Sequence, residues 1–225
     1  MIMQGNDNFP ASSGKPDWKD IKVGIFVGVV FAIIKLLKIK AGLNLGNLDA
    51  LIPFFVCILY IVFRARRDPE KLDEWGITKP VNMSAAFVFV LITGIGIGSL
   101  AAFGTLLSDS SSFELRYLKD MVEYIPAAFP QQFFLCSVGL VSFSKMKIFH
   151  GNWRLPIVIG LSFALAHFWT PFHIPGTRIP LQVIGTFPAG FLAAWYFLRF
   201  RNILPLTLSH VIFYVLLHNW VQVYM

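Results

Sequence analysis

Long apolar runs constrain this sequence more than any other feature. Seven mostly apolar segments follow one another along the chain, at residues 21–37, 48–63, 84–107, 125–143, 155–172, 179–198 and 203–224. A helix that crosses the hydrocarbon core of a bilayer needs about 20 such residues. Open strands would leave backbone groups unpaired in lipid. The pattern predicts an all-α, polytopic membrane helical bundle with about seven transmembrane helices.

The composition excludes several other classes of protein. Of the 225 residues, 56% are hydrophobic and only 14% are charged, whereas soluble domains carry about 25% charged residues. The net charge of +7 comes from basic residues in short loops. These serve as orientation signals, so no nucleic-acid partner is expected. Two cysteines are too few for a disulfide framework.

The loop charges predict how the chain lies in its membrane. Basic residues concentrate in the loops after the second, fourth and sixth segments. By the positive-inside rule the N-terminus is then cytoplasmic and the C-terminus is outside, in a membrane expected to be a prokaryotic plasma membrane. Residues 1–20 are predicted to form a flexible polar tail and residues 21–225 a single transmembrane domain. Three glycines in the third segment predict a close helix crossing there: Gly94, Gly96 and Gly98.

Few polar side chains interrupt the apolar segments. The fourth segment holds Gln131, Gln132 and Cys136, the fifth holds His167, and the seventh holds His210 and Tyr214. Such residues are costly in lipid and are candidates for a functional site. At a rise of about 1.5 Å per residue they fall near the middle of a core about 30 Å thick. They are therefore expected to line a common polar cavity.

The two histidines are compatible either with a bound metal cofactor or with no cofactor. His167 and His210 could hold a divalent metal such as zinc or activate a water, because neutral imidazole is the commonest metal ligand. Alternatively, each is a hydrogen-bonded packing residue and no cofactor is present.

The order of these residues resembles the CPBP family, which comprises the CAAX proteases and the bacteriocin-processing, Abi-like intramembrane proteases. Phe163 to His167 read FALAH, which is similar to that family's FxxxH motif. Residues 185–210 look like its helix, basic turn and His-bearing last helix, and the loop at residues 74–77 is also similar. The resemblance covers residues 72–223.

Four polar positions depart from the family pattern. Where the family has EExxxR, this chain has Gln131, Gln132 and Cys136, and the asparagine or aspartate after the last histidine is Tyr214. The resemblance implies that a glutamate activates water for peptide hydrolysis, while histidines position the water or stabilise the oxyanion. An amide cannot accept that proton, although it can hold a peptide or an oxyanion.

The resemblance implies Gln131, Gln132, His167 and His210 as the catalytic positions and Phe163 and Tyr214 as substrate contacts. Cys136 is an alternative nucleophile, because a thiol beside an imidazole is a known catalytic pair. Three functions follow. The chain is an intramembrane endopeptidase acting on a membrane-anchored peptide or protein, a catalytically silent relative that binds such a peptide or assists a processing or immunity system, or a small transporter.

Overall fold

A computed structural model describes residues 15–42, 48–107, 116–149, 153–165 and 181–221. All regular structure within these ranges is helical, as predicted. A π-helical segment, Phe133–Leu140, joins α5 to α6, and a 3₁₀ turn follows at Lys147–Phe149. The α-helices are α1 (Trp18–Ala41), α2 (Leu48–Arg67), α3 (Glu70–Glu74), α4 (Met83–Leu107), α5 (Arg116–Gln132), α6 (Val141–Ser144), α7 (Arg154–Leu165), α8 (Leu181–Phe200) and α9 (Leu204–Val221).

Two helices in the described ranges are long and apolar enough to cross a membrane, judged by length and composition. They are Leu48–Arg67 and the continuous helix Arg116–Ser144. Shorter apolar helices lie at Met83–Thr93, Arg154–Leu165 and Leu204–Val215. The all-helical class is therefore confirmed, and the count of seven spans stays a prediction.

The helix Arg116–Ser144 begins earlier than the apolar run that predicted it. Residues 116–124 are polar, yet they continue directly into the segment that holds Gln131 and Gln132. Pro126 and Pro130 lie inside this helix without ending it. Because the helix is continuous, Tyr124 lies on it two turns before Gln131.

The first helix also begins before the predicted tail boundary. Asp17 caps α1, and its side chain accepts a hydrogen bond from the backbone N–H of Asp20. Asp20 is only 1% exposed, and it accepts a hydrogen bond from Tyr60 of α2. These contacts order the chain from Trp18 onward, three residues before the predicted start of the domain.

Charged side chains gather at one end of the bundle in what we call the basal ionic cluster. Arg64 and Lys71 pair with both Asp17 and Asp20, and Lys71 and Lys145 pair with Glu74. The start of α1, the loop after α2 and the loop after α6 therefore meet at the same end. The charge pattern had assigned these three parts of the chain to one membrane face.

The electrostatics of this cluster favour the ionised carboxylate of Glu74. Burial would raise the pKa of Glu74, but hydrogen bonds from Lys145 and Lys71, together with their charges, outweigh burial and hold that pKa below its ordinary value. The same contact with Glu74 helps to raise the pKa of Lys71 against the effect of its own burial.

The backbone carbonyls of the loop at residues 74–77 accept hydrogen bonds from two other parts of the chain. Gly76 has a φ of 70°, and its carbonyl accepts a hydrogen bond from the Ile203 N–H at 3.2 Å. A Cβ on Gly76 would lie 2.4 Å from the carbonyl oxygen of Arg201, so a larger residue cannot fit. The Ser137 hydroxyl donates to the Trp75 carbonyl at 2.7 Å. This loop thus ties the π-helical segment to the start of α9.

Helices α7 and α8 cross closely at two glycines. A Cβ on Gly190 would lie 2.8 Å from Cβ of Phe163, and one on Gly160 would lie 2.9 Å from the carbonyl oxygen of Phe187. Small residues let helices approach in this way. In α4, by contrast, a Cβ on Gly96 would meet nothing within 4 Å among the described residues. None of them therefore makes the expected crossing at Gly96.

Outward faces of the helices are strongly apolar. Large hydrophobic residues on α1, α2 and α4 are more than half exposed, among them Ile25, Phe26, Leu59, Phe87 and Ile95. So many exposed large apolar side chains are unusual on proteins that face water. It suits contact with lipid chains.

Candidate functional site

The centre of the candidate site is a buried contact between Gln132 and His210. Gln132 ends α5 and His210 lies on α9, and the two are 4% and 8% exposed. The Gln132 Nε2 atom lies 2.9 Å from the His210 Nδ1 atom. The structure thus brings together two of the predicted site residues, from the fourth and seventh apolar segments.

Cys136 lies on the other side of the same amide. Its thiol donates to the Gln132 Oε1 atom at 3.6 Å, and its side chain is fully buried. Cys136 belongs to the π-helical segment, a rare geometry that occurs frequently at functional sites. The Gln132 amide therefore has a thiol on one side and an imidazole on the other.

Gln131 points elsewhere. Its Nε2 atom donates to the Ala127 carbonyl one turn earlier, at 3.0 Å, and its side chain also interacts with the Tyr124 hydroxyl. The residue is half-buried and lines an apolar cavity. The two adjacent amide side chains thus have different neighbours: Gln131 bonds within its own helix beside the cavity, and Gln132 contacts His210.

Aromatic rings enclose the imidazole of His210. The predicted substrate contact Phe163 meets it edge-on with ring centroids 5.4 Å apart, and Tyr124 meets it edge-on at 5.9 Å. Tyr214, the other predicted contact, stacks on Tyr124. These rings hold the imidazole plane in place and limit the access of water.

Sequence reasoning missed Tyr124 and Asp49. Tyr124 lies immediately before the predicted fourth segment at residues 125–143, and its spacing of seven residues from Gln131, two helical turns, could have placed it on that face. Asp49 lies in the first turn of α2, is 5% exposed and pairs with Lys38 at 2.9 Å. Its charge acts on both Tyr124 and Tyr214. Nothing in the sequence indicates this proximity, because Asp49 lies outside the matching motifs.

The predicted metal pair cannot be completed from the described residues. His167 lies outside them, as does the end of the fifth apolar segment. Within the described ranges, no three His, Cys, Asp or Glu side chains come close enough to hold a metal ion. Metal binding by His167 and His210 stays a prediction.

An apolar cavity of about 320 Å³ lies beside the amides, between α1, α5, the π-helical segment and α7. Its wall includes Gln131 and Phe163, and Phe163 also contacts His210 of the polar centre. The other lining residues are nearly all apolar, such as Ile25, Phe31, Phe134 and Leu135. The cavity is suited to an apolar group held next to hydrogen-bonding side chains.

Comparison with known proteins gives one match. No curated protein and no solved structure matches the chain. Residues 125–216 match the family model described as type II CAAX prenyl endopeptidase Rce1-like. This segment contains Gln131, Gln132, Cys136, Phe163, His167, His210 and Tyr214. The resemblance to the CPBP family is therefore confirmed, and residues 125–216 carry its type II CAAX prenyl endopeptidase Rce1-like signature.

Proposed function

We propose that this chain is an intramembrane endopeptidase of the CAAX-protease type that cleaves a membrane-associated peptide or protein. The observation that carries the proposal is the 2.9 Å contact between Gln132 and His210. It joins two helices within the segment that matches the family. Polar side chains inside the membrane are energetically costly. A buried pair of them is therefore a candidate for a functional site.

The proposed location is a prokaryotic plasma membrane, with about seven spans, the N-terminus in the cytoplasm and the C-terminus outside. The apolar outward faces of α1, α2 and α4 support a lipid setting. The basal ionic cluster, which joins the start of α1 to the basic loop after α2, would then lie on the cytoplasmic face.

Hydrolysis requires a base for the attacking water and donors for the oxyanion. Gln132 cannot be the base, because an amide does not take up a proton near neutral pH. The two imidazoles are the groups left for that task, and His167 is the candidate outside the described residues. The second N–H of the Gln132 amide, beyond the one that faces His210, would donate to the substrate carbonyl as charge develops on its oxygen.

The substrate's apolar part would occupy the cavity next to Gln131. That cavity is lined by helix α1 as well as by the family segment. Phe163 and Tyr214 would contact the peptide beside His210. Phe163 both lines the cavity and contacts His210, so one molecule could reach both.

A second candidate is a silent relative that binds a membrane peptide without cleaving it, or assists a processing or immunity system. The specific observation in its favour is that an imidazole and a thiol are the hydrogen-bond partners of the Gln132 amide. Such a centre can hold a peptide by hydrogen bonds, and it needs no base to do so.

One experiment separates the two candidates. Purified protein in liposomes is incubated with a library of membrane-anchored peptides, and cleavage is followed by mass spectrometry. The variants are His167→Ala, His210→Ala, Cys136→Ser and the double variant Gln131→Glu, Gln132→Glu. His218→Ala is the matched control, because it lies two turns beyond His210 on the same helix.

The endopeptidase requires cleavage by the wild type that is lost in His167→Ala or His210→Ala and retained in His218→Ala. Cleavage by the double glutamate variant alone would support the silent relative and overturn the endopeptidase. Cleavage lost in Cys136→Ser, with both histidine variants active, would make the thiol the nucleophile.

A further inference from the structure

The amide of Gln132 has a definite orientation set by two different neighbours. Its Oε1 atom faces the Cys136 thiol at 3.6 Å, and its Nε2 atom faces His210 Nδ1 at 2.9 Å. A thiol donates to the carbonyl side of an amide, and the NH₂ side donates in turn. Cys136 therefore selects which side of the amide reaches the imidazole.

The direction of these bonds determines the protonation of His210. An imidazole nitrogen that accepts a hydrogen bond carries no proton, so a neutral ring with Nδ1 as acceptor has its proton on Nε2. The opposite tautomer would place an N–H of the ring against an N–H of the amide. Burial of both side chains makes that arrangement unfavourable, because no water replaces the lost bond.

We propose that Cys136 and Gln132 act as positioning residues that hold His210 as the Nε2–H tautomer, in which Nδ1 accepts from the Gln132 amide and the ring has no lone pair left to act as a base. The tautomer rests on the two contacts of the Gln132 amide. A histidine that stabilises the oxyanion is already implied by the family resemblance; the effect of this positioning on cleavage rests on the proposed endopeptidase function.

A glutamate at position 132 would have the opposite effect. A carboxylate only accepts hydrogen bonds, so it would draw the proton of the ring to Nδ1 and leave Nε2 as an acceptor. The amide at this position therefore changes what His210 can do, in addition to removing a base. The family motif has its arginine where this chain has Cys136, so the thiol and the amide depart from the motif together.

The surroundings of the imidazole favour a single orientation of the ring. Phe163 and Tyr124 meet the ring edge-on, with planes at 81° and 73° to it. Rotation of the ring would break both contacts. A ring held in this way presents Nδ1 to Gln132 in a constant direction, which a single tautomer requires.

The test is nitrogen NMR on protein with ¹⁵N-labelled histidine in lipid nanodiscs at neutral pH. The chain has five histidines, and the His210 signals are identified as those missing from His210→Ala. Two-bond couplings between ring protons and nitrogens distinguish the Nε2–H from the Nδ1–H tautomer. We expect the wild type to show Nε2–H, and an Nδ1–H pattern in the wild type would overturn the proposal.

The variants test each positioning residue. Gln132→Glu is expected to shift His210 to Nδ1–H or to the doubly protonated ring, and Gln132→Met, which removes both bonds, should give a mixture of tautomers. Cys136→Ala should also give a mixture, whereas Cys136→Ser keeps a donor and should retain Nε2–H. Unchanged signals in both Gln132→Glu and Cys136→Ala would refute the positioning role.

This readout is independent of proteolysis. If the wild type shows Nε2–H but never cleaves a peptide, the tautomer assignment stands and the endopeptidase fails. If the wild type cleaves peptides and shows Nδ1–H, the endopeptidase stands and the positioning role fails.

Discussion

The ring of Tyr124 lies parallel to the ring of Tyr214, with centroids 3.7 Å apart and planes within 1° of each other. Tyr124 is on α5 and Tyr214 is on α9, one turn after His210. The stack therefore joins the two helices whose polar residues meet at Gln132 and His210. It fixes the distance between these helices at the level of the candidate site.

Loss of this stack is expected to weaken both the fold and the site. Offset and edge-to-face aromatic pairs contribute about 0.5–1.5 kcal/mol beyond the area that they bury, and a nearly face-to-face pair such as this one contributes less. Tyr124→Leu removes this pair and its edge-on contact with His210. It should lower the thermal unfolding temperature in detergent, and it should reduce peptide cleavage because His210 loses a neighbour. Tyr124→Phe keeps the ring and is the matched control. Equal stability of the Leu and Phe variants would contradict the role assigned to the stack.

The crossing of α7 and α8 predicts opposite results for two glycines. A Cβ on Gly190 would lie 2.8 Å from Cβ of Phe163, and overpacking of this kind costs about 1–3 kcal/mol. Gly190→Ala should therefore destabilise the protein and displace Phe163 from His210. Gly96→Ala on α4 meets open space, and in a helix it should be neutral or stabilising by about 0.5–1 kcal/mol. Thermal unfolding of both variants in the same detergent tests the difference.

Two glycines with positive φ separate backbone strain from steric contact. Gly42 and Gly76 have φ values of 64° and 70°. Alanine in this region costs about 1–2 kcal/mol at either position. At Gly76 the new Cβ would also lie 2.4 Å from the Arg201 carbonyl oxygen, whereas at Gly42 it meets nothing within 4 Å. Gly76→Ala should be clearly the more destabilising, and similar unfolding temperatures for the two would show that the contact with Arg201 is unimportant.

The basal ionic cluster predicts a pH dependence of stability. The pKa of Glu74 is lowered in the folded protein, so its carboxylate contributes stability above its unfolded pKa, and that contribution is lost as the pH falls through the folded pKa. Glu74→Gln should cost about 1.5–3 kcal/mol at neutral pH, the range for bonds to charged groups. The gap from wild type should close in acid.

The matched control for Glu74 is Glu123→Gln. Glu123 is exposed and pairs with Lys119 at 3.5 Å, and such surface pairs contribute about 0–1 kcal/mol. Unfolding curves of both variants across the acidic range decide the matter. A constant gap between Glu74→Gln and wild type at every pH would rule out linkage through this carboxyl.

Filling the apolar cavity should affect the substrate more than the fold. A Cβ on Gly28 meets nothing within 4 Å, and Gly28 lines the cavity. Gly28→Leu is expected to raise KM for a membrane-anchored peptide about ten-fold or more. The reason is that one added or missing methylene group in an apolar pocket changes binding by about 1–3 kcal/mol. Gly96→Leu, outside the cavity, serves as control. Unchanged KM in Gly28→Leu would exclude this cavity as the substrate site.

Helical class and family follow from local information in the sequence. Apolar runs of sufficient length require helices, because every backbone group in lipid must find its partner within the segment. The resemblance that rests on FALAH and on His210 was confirmed over residues 125–216, a shorter range than the predicted 72–223. Within that range, Gln131, Gln132, Cys136 and Tyr214 could be singled out from the sequence because they depart from the family's motifs.

Contacts between the helices were decided by the tertiary structure. Gln131 and Gln132 are neighbours in sequence, yet one bonds within its own helix and the other meets His210 on α9. Helix rotation and tilt determine which side chains meet, and a run of apolar residues carries no information about either. The same reason explains why Tyr124 and Asp49 were missed and why the close crossing lies at Gly160 and Gly190. Hydropathy determined that the chain forms helices suited to lipid, and packing decided which of their polar groups can act together.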